Sequence, residues 1–468
     1  MGKKIVYISF IFCGLAFVNS CRKDIPQFEL LPEEGENFPG GSQTSFIQSS
    51  AAFGQAMPGL NSPEDLFFFT GNSLFNQNWV TAPASTTARD GLGPTFNARN
   101  CSACHFKDGR GKVPNHYDDV STGFLVRLSI PGTDTFGEPL GDPNYGGQLN
   151  DQAILGLDRE GQVEITYTEI YGTFADGESY SLRSPSYSFP ELNYGPLASN
   201  IMVSPRVGQQ MIGLGLLEAI SENDILANED INDLNEDGIS GKANFVWNYE
   251  TNQTELGRFG WKANQPTLRQ QVAGAFLGDL GITSTIFPNE NCPGSQTDCA
   301  NAPNGGNPEI TDENLDKTIL YASNLAVPNR PDYKNQDVLR GKLLFNKIDC
   351  AKCHKANYTT GNHSTFNNLS NQKIWPYTDL LLHDMGEGLA DNRPDFLANG
   401  KEWRTPPLWG IGLFETVNGH TEYLHDGRAR NLQEAILWHG GEAENSLNQF
   451  KNLSKRERND ILQFLKSL

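Results

Sequence analysis

The sequence has little of what a nucleic-acid-binding or membrane-spanning protein needs. It has 36 Lys and Arg residues against 56 Asp and Glu residues, which gives a net charge of −20. Such an acidic excess argues against binding to nucleic acid and against electrostatic attraction to anionic lipid headgroups. Beyond residues 5–18 the chain has no apolar run long enough to cross a bilayer as a helix. A basic redox partner remains compatible with this charge.

The N-terminus has the pattern of a secretory signal segment. Lys3 and Lys4 precede the apolar run, and Asn19 and Ser20 follow it directly before Cys21. A small residue before such a cysteine resembles the lipobox of bacterial lipoproteins. The sequence therefore predicts a signal segment over residues 1–20 and lipid attached to Cys21; an ordinary signal peptide cut nearby is the alternative.

The predicted location follows from that segment. An exported chain with lipid on its first mature residue is held at the bacterial envelope, and we expect it to face the periplasm. Membrane contact is then expected only through the lipid.

Cysteine and histidine are scarce, with eight of each in 468 residues, yet they form two complete CxxCH motifs. These are Cys101-Ser-Ala-Cys104-His105 and Cys350-Ala-Lys-Cys353-His354. Thiols one helical turn apart can both bond to the vinyl groups of one haem while the adjacent imidazole binds its iron. A zinc site or a redox CxxC is the competing interpretation. We predict two covalently bound c-type haems, with His105 and His354 as proximal ligands.

Two further cysteines, Cys292 and Cys299, lie in a short polar segment. In an oxidising compartment a disulfide is the expected state of such a pair. Two free thiols are the alternative.

Composition and an internal repeat divide the mature chain. The Pro, Gly and Glu residues of 21–45 predict a flexible linker that carries the lipid. Gly71-Asn-Ser-Leu-Phe-Asn76 and Gly341-Lys-Leu-Leu-Phe-Asn346 are each typical of the first helix of a haem unit. We predict an N-terminal haem domain over 46–327, with a long insertion near 115–250, and a C-terminal cytochrome c domain over 328–468.

The predicted fold class follows from these units. It is mainly α with irregular and short β insertions, in two cytochrome c-like haem domains of which the first is enlarged by the insertion. Ser454 and Glu457 form a capping-box pattern that predicts the last helix.

The sixth iron ligand decides between electron carriage and chemistry. A Met or His there closes the iron, whereas a weak ligand or water leaves it open to peroxide. Met211 and Met385 are candidates, although a Met in an apolar stretch more often fills a core.

A separate pattern indicates a cation site. Asp233-Leu-Asn235-Glu-Asp237-Gly238 matches the first half of a calcium loop, so Asp233, Asn235 and Asp237 are predicted calcium ligands. The alternative is a polar turn.

Longer motifs connect the chain to a known family. They are Phe69-Thr-Gly-Asn-Ser-Leu-Phe-Asn-Gln-Asn-Trp79, Arg89-Asp-Gly-Leu-Gly-Pro94, Asp108-Gly-Arg-Gly111, Gly213-Leu-Gly-Leu-Leu-Glu-Ala219, Arg258-Phe-Gly-Trp-Lys-Ala263, Leu380-Leu-Leu-His-Asp-Met-Gly386 and Leu424-His-Asp-Gly-Arg428. Together they resemble the bacterial di-haem oxidoreductase family, whose members are described as peroxidases. The family is more distantly similar to bacterial di-haem cytochrome c peroxidases and to the di-haem enzyme that matures methylamine dehydrogenase.

The resemblance implies roles for particular residues. After a Phe-His-Asp-Gly segment, the peroxidases place the methionine ligand of their electron-transfer haem; here His439 stands at that position, which implies a bis-His C-terminal haem. Glu218 is a candidate acid/base group near the N-terminal iron, or else a structural glutamate. Trp261 is a candidate relay between the haems, or else a packing residue.

Three functions are compatible with these observations. The first is an enzyme in which electrons pass from the C-terminal to the N-terminal haem and reduce peroxide, or serve another oxidoreduction, there. The second is a non-enzymatic electron carrier tethered to the envelope. The third is a haem- or iron-responsive binding module. The first two require a redox partner protein, such as a small cytochrome.

Overall fold

The computed structural model describes residues 1–2, 30–116 and 118–468. Cys21 and the signal segment lie outside these residues. Helices account for more of the described chain than strands do, and the strands are paired in antiparallel two-stranded sheets. The prediction of a mainly α fold with short β elements is therefore confirmed. Among the described helices, none is long and apolar enough to span a membrane.

The helices lie at both ends and in the middle of the chain. They are α1 (Ser62–Asn76), α2 (Cys101–Cys104), α3 (Leu214–Glu218), α4 (Glu222–Leu226), α5 (Leu268–Leu280), α6 (Thr297–Ala300), α7 (Asp312–Ser323), α8 (Gln336–Lys347), α9 (Phe414–Asn418), α10 (Leu432–Leu437), α11 (Glu444–Asn452) and α12 (Lys455–Lys466).

Most of the longer strands lie in the insertion. The strands are β1 (Thr95–Phe96), β2 (Phe124–Ser129), β3 (Gln152–Ala153), β4 (Glu164–Thr173), β5 (Ser179–Ser188), β6 (Met202–Val207), β7 (Phe245–Asn248), β8 (Gln253–Leu256), β9 (Tyr358–Thr359), β10 (Lys373–Ile374), β11 (Leu382–Asp384) and β12 (Glu402–Arg404). They pair as β1–β3, β2–β6, β4–β5, β7–β8, β9–β10 and β11–β12.

The two repeated glycines have the same structural role. A Cβ atom on Gly71 of α1 would overlap the carbonyl oxygen of Lys317 in α7. A Cβ atom on Gly341 of α8 would overlap the carbonyl oxygen of Asp460 in α12. Each unit thus begins with a helix that crosses a later helix at backbone contact, which requires glycine at the crossing point. The capping box at Ser454, which fixes the start of α12, is present as predicted.

Residues 30–45 are the described part of the flexible linker predicted over 21–45. Leu30 N donates to Gln336 Oε1 at 3.2 Å, which ties the segment to the start of α8. Glu36 is fully buried and forms ion pairs with Arg330 at 3.4 Å and with Lys342 at 2.5 Å. Residues 30–45 of the predicted linker therefore contact the C-terminal unit, where Glu36 is a buried carboxylate with two cationic partners.

The insertion reaches across to the C-terminal unit. At the tip of the β4–β5 hairpin, Phe174 packs against Phe450 of α11 with ring centroids 6.2 Å apart. Asp176 pairs with the buried Arg458 of α12 at 3.0 Å. In the middle of the hairpin, Arg183 Nε donates to the carbonyl oxygen of Arg428 at 2.8 Å. The hairpin therefore fixes the position of the C-terminal unit relative to the N-terminal one.

Candidate functional site

The C-terminal CxxCH motif borders a large cavity. Cys350, Cys353 and His354 line a cavity whose walls are mostly apolar. His354 Nδ1 lies 3.1 Å from the carbonyl oxygen of Tyr377, so this nitrogen carries the proton and donates it. A histidine held in this way has its Nε2 available for a metal.

A second histidine lines the same cavity. His439 follows α10, and its Nδ1 lies 2.8 Å from the carbonyl oxygen of Ala435, again leaving Nε2 available. Burial and then the nearby His439 lower the pKa of His354 to about 4, and burial lowers the pKa of His439. Both imidazoles are therefore neutral, as iron ligands must be. Met385 also borders the cavity.

This donor set fits a c-type haem. Two thiols stand at one edge, two neutral imidazoles border one space, and apolar side chains surround them. Cys350, Cys353, His354 and His439 are the residues that would hold it.

A charged histidine lies beside Cys353. His383 Nε2 is 2.8 Å from Asp379 and its Nδ1 is 2.7 Å from Glu442, while Cys353 Sγ is 3.6 Å away. Although burial opposes it, Asp379 holds the pKa of His383 well above its usual range. Cys353, Asp379 and His383 lie close enough to hold a metal ion, but an imidazolium with both nitrogens protonated cannot serve as a ligand.

The N-terminal CxxCH motif forms α2, capped by Asn100, whose side chain accepts from Ala103 N at 2.7 Å. His105 Nδ1 lies 2.7 Å from the carbonyl oxygen of Gln209. Burial lowers the pKa of His105. The proximal histidine is thus neutral and oriented in the same way as His354.

The surroundings of the two proximal histidines differ. Burial lowers the pKa of His105, and the charge of Asp279 opposes this shift. Within the described residues, no second histidine affects this pKa. Asp279 lies in the last turn of α5, where its Oδ1 accepts from Gln148 Nε2 at 2.9 Å. Burial raises the pKa of Asp279, and Arg127 is the largest influence that opposes this. Burial is the largest cause of the raised pKa values of Cys101 and Cys104, and the charge of Asp279 is the second cause. Asp279 therefore lies close to the whole motif.

Asp279 and Arg127 were not found from the sequence. Asp279 stands 174 residues after His105, in a helix with no motif around it. Its backbone carbonyl accepts from Asn97 N at 2.8 Å, which brings α5 against the loop that leads to Cys101. Only this long-range contact shows that Asp279 lies near the first motif.

Glu218 is engaged elsewhere. Its Oε1 accepts from Leu268 N at 2.7 Å, at the start of α5, and its Oε2 lies 3.3 Å from His363 Nε2. Both carboxylate oxygens therefore serve the packing of α3, α5 and the C-terminal unit, which corresponds to the structural alternative for this residue.

A short segment separates the two centres. Val207 accepts from Trp261 Nε1 at 2.8 Å, and two residues later Gln209 accepts from His105. Gln209 Oε1 also accepts from Arg404 Nη2 at 3.1 Å. Trp261, Gln209 and Arg404 all line the C-terminal cavity, so residues 207–209 contact both centres.

The predicted calcium ligands and Met211 form local contacts beside the two motifs. Asp233 Oδ1 accepts from Asp237 N at 2.9 Å, and Asp237 Oδ2 lies 3.2 Å from Lys352 Nζ. These oxygens already have backbone and lysine partners, as in a polar turn. Met211 packs against the core, and its backbone N donates to the Asp108 carbonyl at 2.9 Å.

Cys292 and Cys299 form a disulfide that closes a short loop. Gln296 inside that loop is buried, and its Nε2 donates to Glu160 Oε1 at 2.7 Å. The disulfide thus holds a residue that satisfies a buried carboxylate of the insertion.

Comparison with known proteins agrees with this arrangement. No curated protein and no solved structure matches the chain. A family model described as "Di-haem oxidoreductase, putative peroxidase" matches residues 36–468. This match covers both CxxCH motifs and nearly the full length, so the chain belongs to the di-haem oxidoreductase family, as the motifs predicted.

Proposed function

We propose that the protein is a peroxide-reducing di-haem oxidoreductase in which electrons enter at the C-terminal haem and pass to the N-terminal one. The difference between the two proximal histidines carries this proposal. His354 shares its cavity with His439. The charge of Asp279 instead raises the pKa of His105, and the charge of Arg127 lowers the pKa of Asp279. A centre with two histidines suits electron transfer, and a centre beside an acid and a cation suits chemistry.

Peroxide reduction to two waters consumes two electrons and two protons. The haem iron supplies the redox chemistry when it is bound. Asp279 is the proposed proton donor, because its charge acts on His105, Cys101 and Cys104 and because burial raises its pKa, which favours the protonated form. Arg127 would stabilise negative charge that develops beside it.

Residues 207–209 provide a route between the centres. The carbonyl of Gln209 holds His105, and its side chain contacts Arg404 at the C-terminal cavity. Trp261 lies on a parallel route through Val207. Both routes run through hydrogen bonds and avoid open solvent, which favours electron transfer between the two sites.

Low-temperature EPR of the oxidised holoprotein, with and without peroxide, tests this function. We expect one low-spin signal of bis-His type and one high-spin signal, with peroxide changing the high-spin signal first. Two low-spin signals, unchanged by peroxide, would instead favour the second candidate, an electron carrier without turnover. The paired histidines of the C-terminal cavity are the observation that favours that candidate.

The chain's partner and location belong to the same proposal. The net charge of −20 suits a basic redox protein as the electron donor. We propose lipid attachment at Cys21 on the periplasmic side of the envelope. Labelled palmitate should enter the wild-type protein and fail to enter Cys21→Ser; labelling of the variant would place the lipid elsewhere.

A further inference from the structure

An arginine from the N-terminal unit lines the C-terminal cavity. Arg110 follows His105 by five residues, yet it borders the space shared by His354 and His439. Its guanidinium lies 5.3 Å from the ring centroid of Trp261 and 5.9 Å from that of Phe414. Its Nη2 donates to the carbonyl oxygen of Leu424.

Within the described residues, no carboxylate forms an ion pair with this guanidinium. Arg110 is 5% exposed, and its buried Nε has no hydrogen-bond partner. Burial lowers the pKa of Arg110 to about 10, although Tyr423, Glu422 and Asp426 oppose this shift from beyond ion-pair distance. A buried cation normally has a carboxylate beside it, so the side chain is arranged for an anion supplied from outside the polypeptide.

A second arginine that lines the same cavity, Arg404, also forms no ion pair within the part of the chain that the structure describes. Arg404 is 3% exposed, and its hydrogen bonds go to neutral oxygens, those of Gly260 at 2.8 Å and of Gln209 at 3.1 Å. Burial lowers its pKa to about 10, as for Arg110. Arg206, another buried arginine, lies 3.0 Å from Asp395. Within the described residues, Arg110 and Arg404 differ from it in having no ion pair.

We infer that Arg110 and Arg404 bind the propionate carboxylates of the haem attached at Cys350 and Cys353. The inference rests on the proposed occupant of the cavity. Two guanidiniums match the two anionic groups at one edge of the haem, and charge-assisted hydrogen bonds to carboxylates are the strong ones. Because Arg110 belongs to the loop of the first motif, the N-terminal unit then takes part in binding the C-terminal haem.

Redox titration of Arg110→Gln between pH 5 and pH 8, followed by haem absorbance, tests the pairing. In the wild type the cation keeps the propionate ionised, so we expect a C-terminal haem potential that is nearly independent of pH. Without Arg110 the buried propionate has a raised pKa. The potential of Arg110→Gln should match the wild type at low pH and fall as pH rises, because an uncompensated negative charge favours the ferric haem.

Arg159→Gln is the matched control. It removes the same charge from a side chain that pairs with Glu191 at 2.5 Å in the insertion, away from the cavity lining, and it should give no pH dependence. An Arg110→Gln potential that stays parallel to the wild type across the pH range would overturn the inference.

A measurement on the wild type tests the inference even if Arg110→Gln fails to fold. Infrared difference spectra between the oxidised and reduced C-terminal haem, in holoprotein ¹³C-labelled at the propionates, should show only ionised carboxylate from pH 5 to pH 8. A labelled, protonated carboxyl band in that range would overturn the inference. Failure of the proposed function is distinguishable, because it would show as fewer than two haems per chain or as no peroxide turnover with both haems bound.

Discussion

At the scale of single residues, His439 is the position that most directly sets the C-terminal potential. A thioether stabilises ferrous haem more than an imidazole does, so His439→Met should raise the potential of that haem and leave both thioether attachments intact. Redox titration and the mass of the intact chain measure the two effects. His116→Met, a change at an exposed histidine, is the control. An unchanged potential in His439→Met would assign the sixth ligand to another residue, with Met385 next.

Comparison of two variants shows whether Asp279 or Glu218 acts as the acid/base group. Asp279→Asn removes the proton donor beside the N-terminal motif and should lower peroxide turnover by about 10²-fold or more, with two haems still bound. Glu218→Gln should leave turnover per haem close to the wild type, because both Glu218 oxygens are engaged by Leu268 and His363. The reverse pattern in stopped-flow assays would return the acid/base role to Glu218.

At the scale of elements, the sequence predicted what depends on local pattern. The two CxxCH motifs, the repeated first helix and the capping box of α12 are each encoded within a few residues. Asp279 was missed because only a contact between α5 and the loop before Cys101 places it. The contacts of Glu36 could not be predicted for a similar reason: its partners Arg330 and Lys342 lie 294 and 306 residues further along the chain.

The β4–β5 hairpin gives a prediction at this scale. Phe174 is 2% exposed and packs on Phe450, which is fully buried, so Phe174→Ala should lower the free energy of unfolding by about 3 kcal/mol. The hairpin should also lose protection in hydrogen exchange before the rest of the chain does. Tyr171→Ala, on the same hairpin but 80% exposed, should change neither quantity much. Equal loss of protection throughout the chain would mean that the hairpin does not unfold separately from the rest of the protein.

At the scale of the whole molecule, buried carboxyl groups make stability depend on pH in two opposite ways. Burial raises the pKa values of Asp151 to about 7, Glu290 to about 7 and Glu160 to about 8. Their charged forms destabilise the fold above these values, and this cost disappears as pH falls toward their ordinary range. Asp395 behaves oppositely: although burial opposes it, Arg393 and other cations lower its pKa to about 2, so its contribution is lost only in stronger acid.

We therefore expect the holoprotein to resist urea better near pH 5 than at pH 8, and to weaken again below about pH 4. Glu160 should account for a few kcal/mol of the difference between pH 8 and pH 5, because it is fully buried and accepts from Asn150 N and Gln296 Nε2, which are both neutral donors. Glu160→Gln should flatten the profile on the alkaline side, whereas Glu164→Gln, at an exposed position of β4, should leave it unchanged. A Glu160→Gln profile as steep as the wild type would mean that Glu160 ionises at its ordinary pKa in the folded protein, and that the self-repulsion of the net charge of −20 causes the alkaline loss. Added salt separates the two causes, because it screens repulsion across the surface and has little effect on a group buried in the insertion.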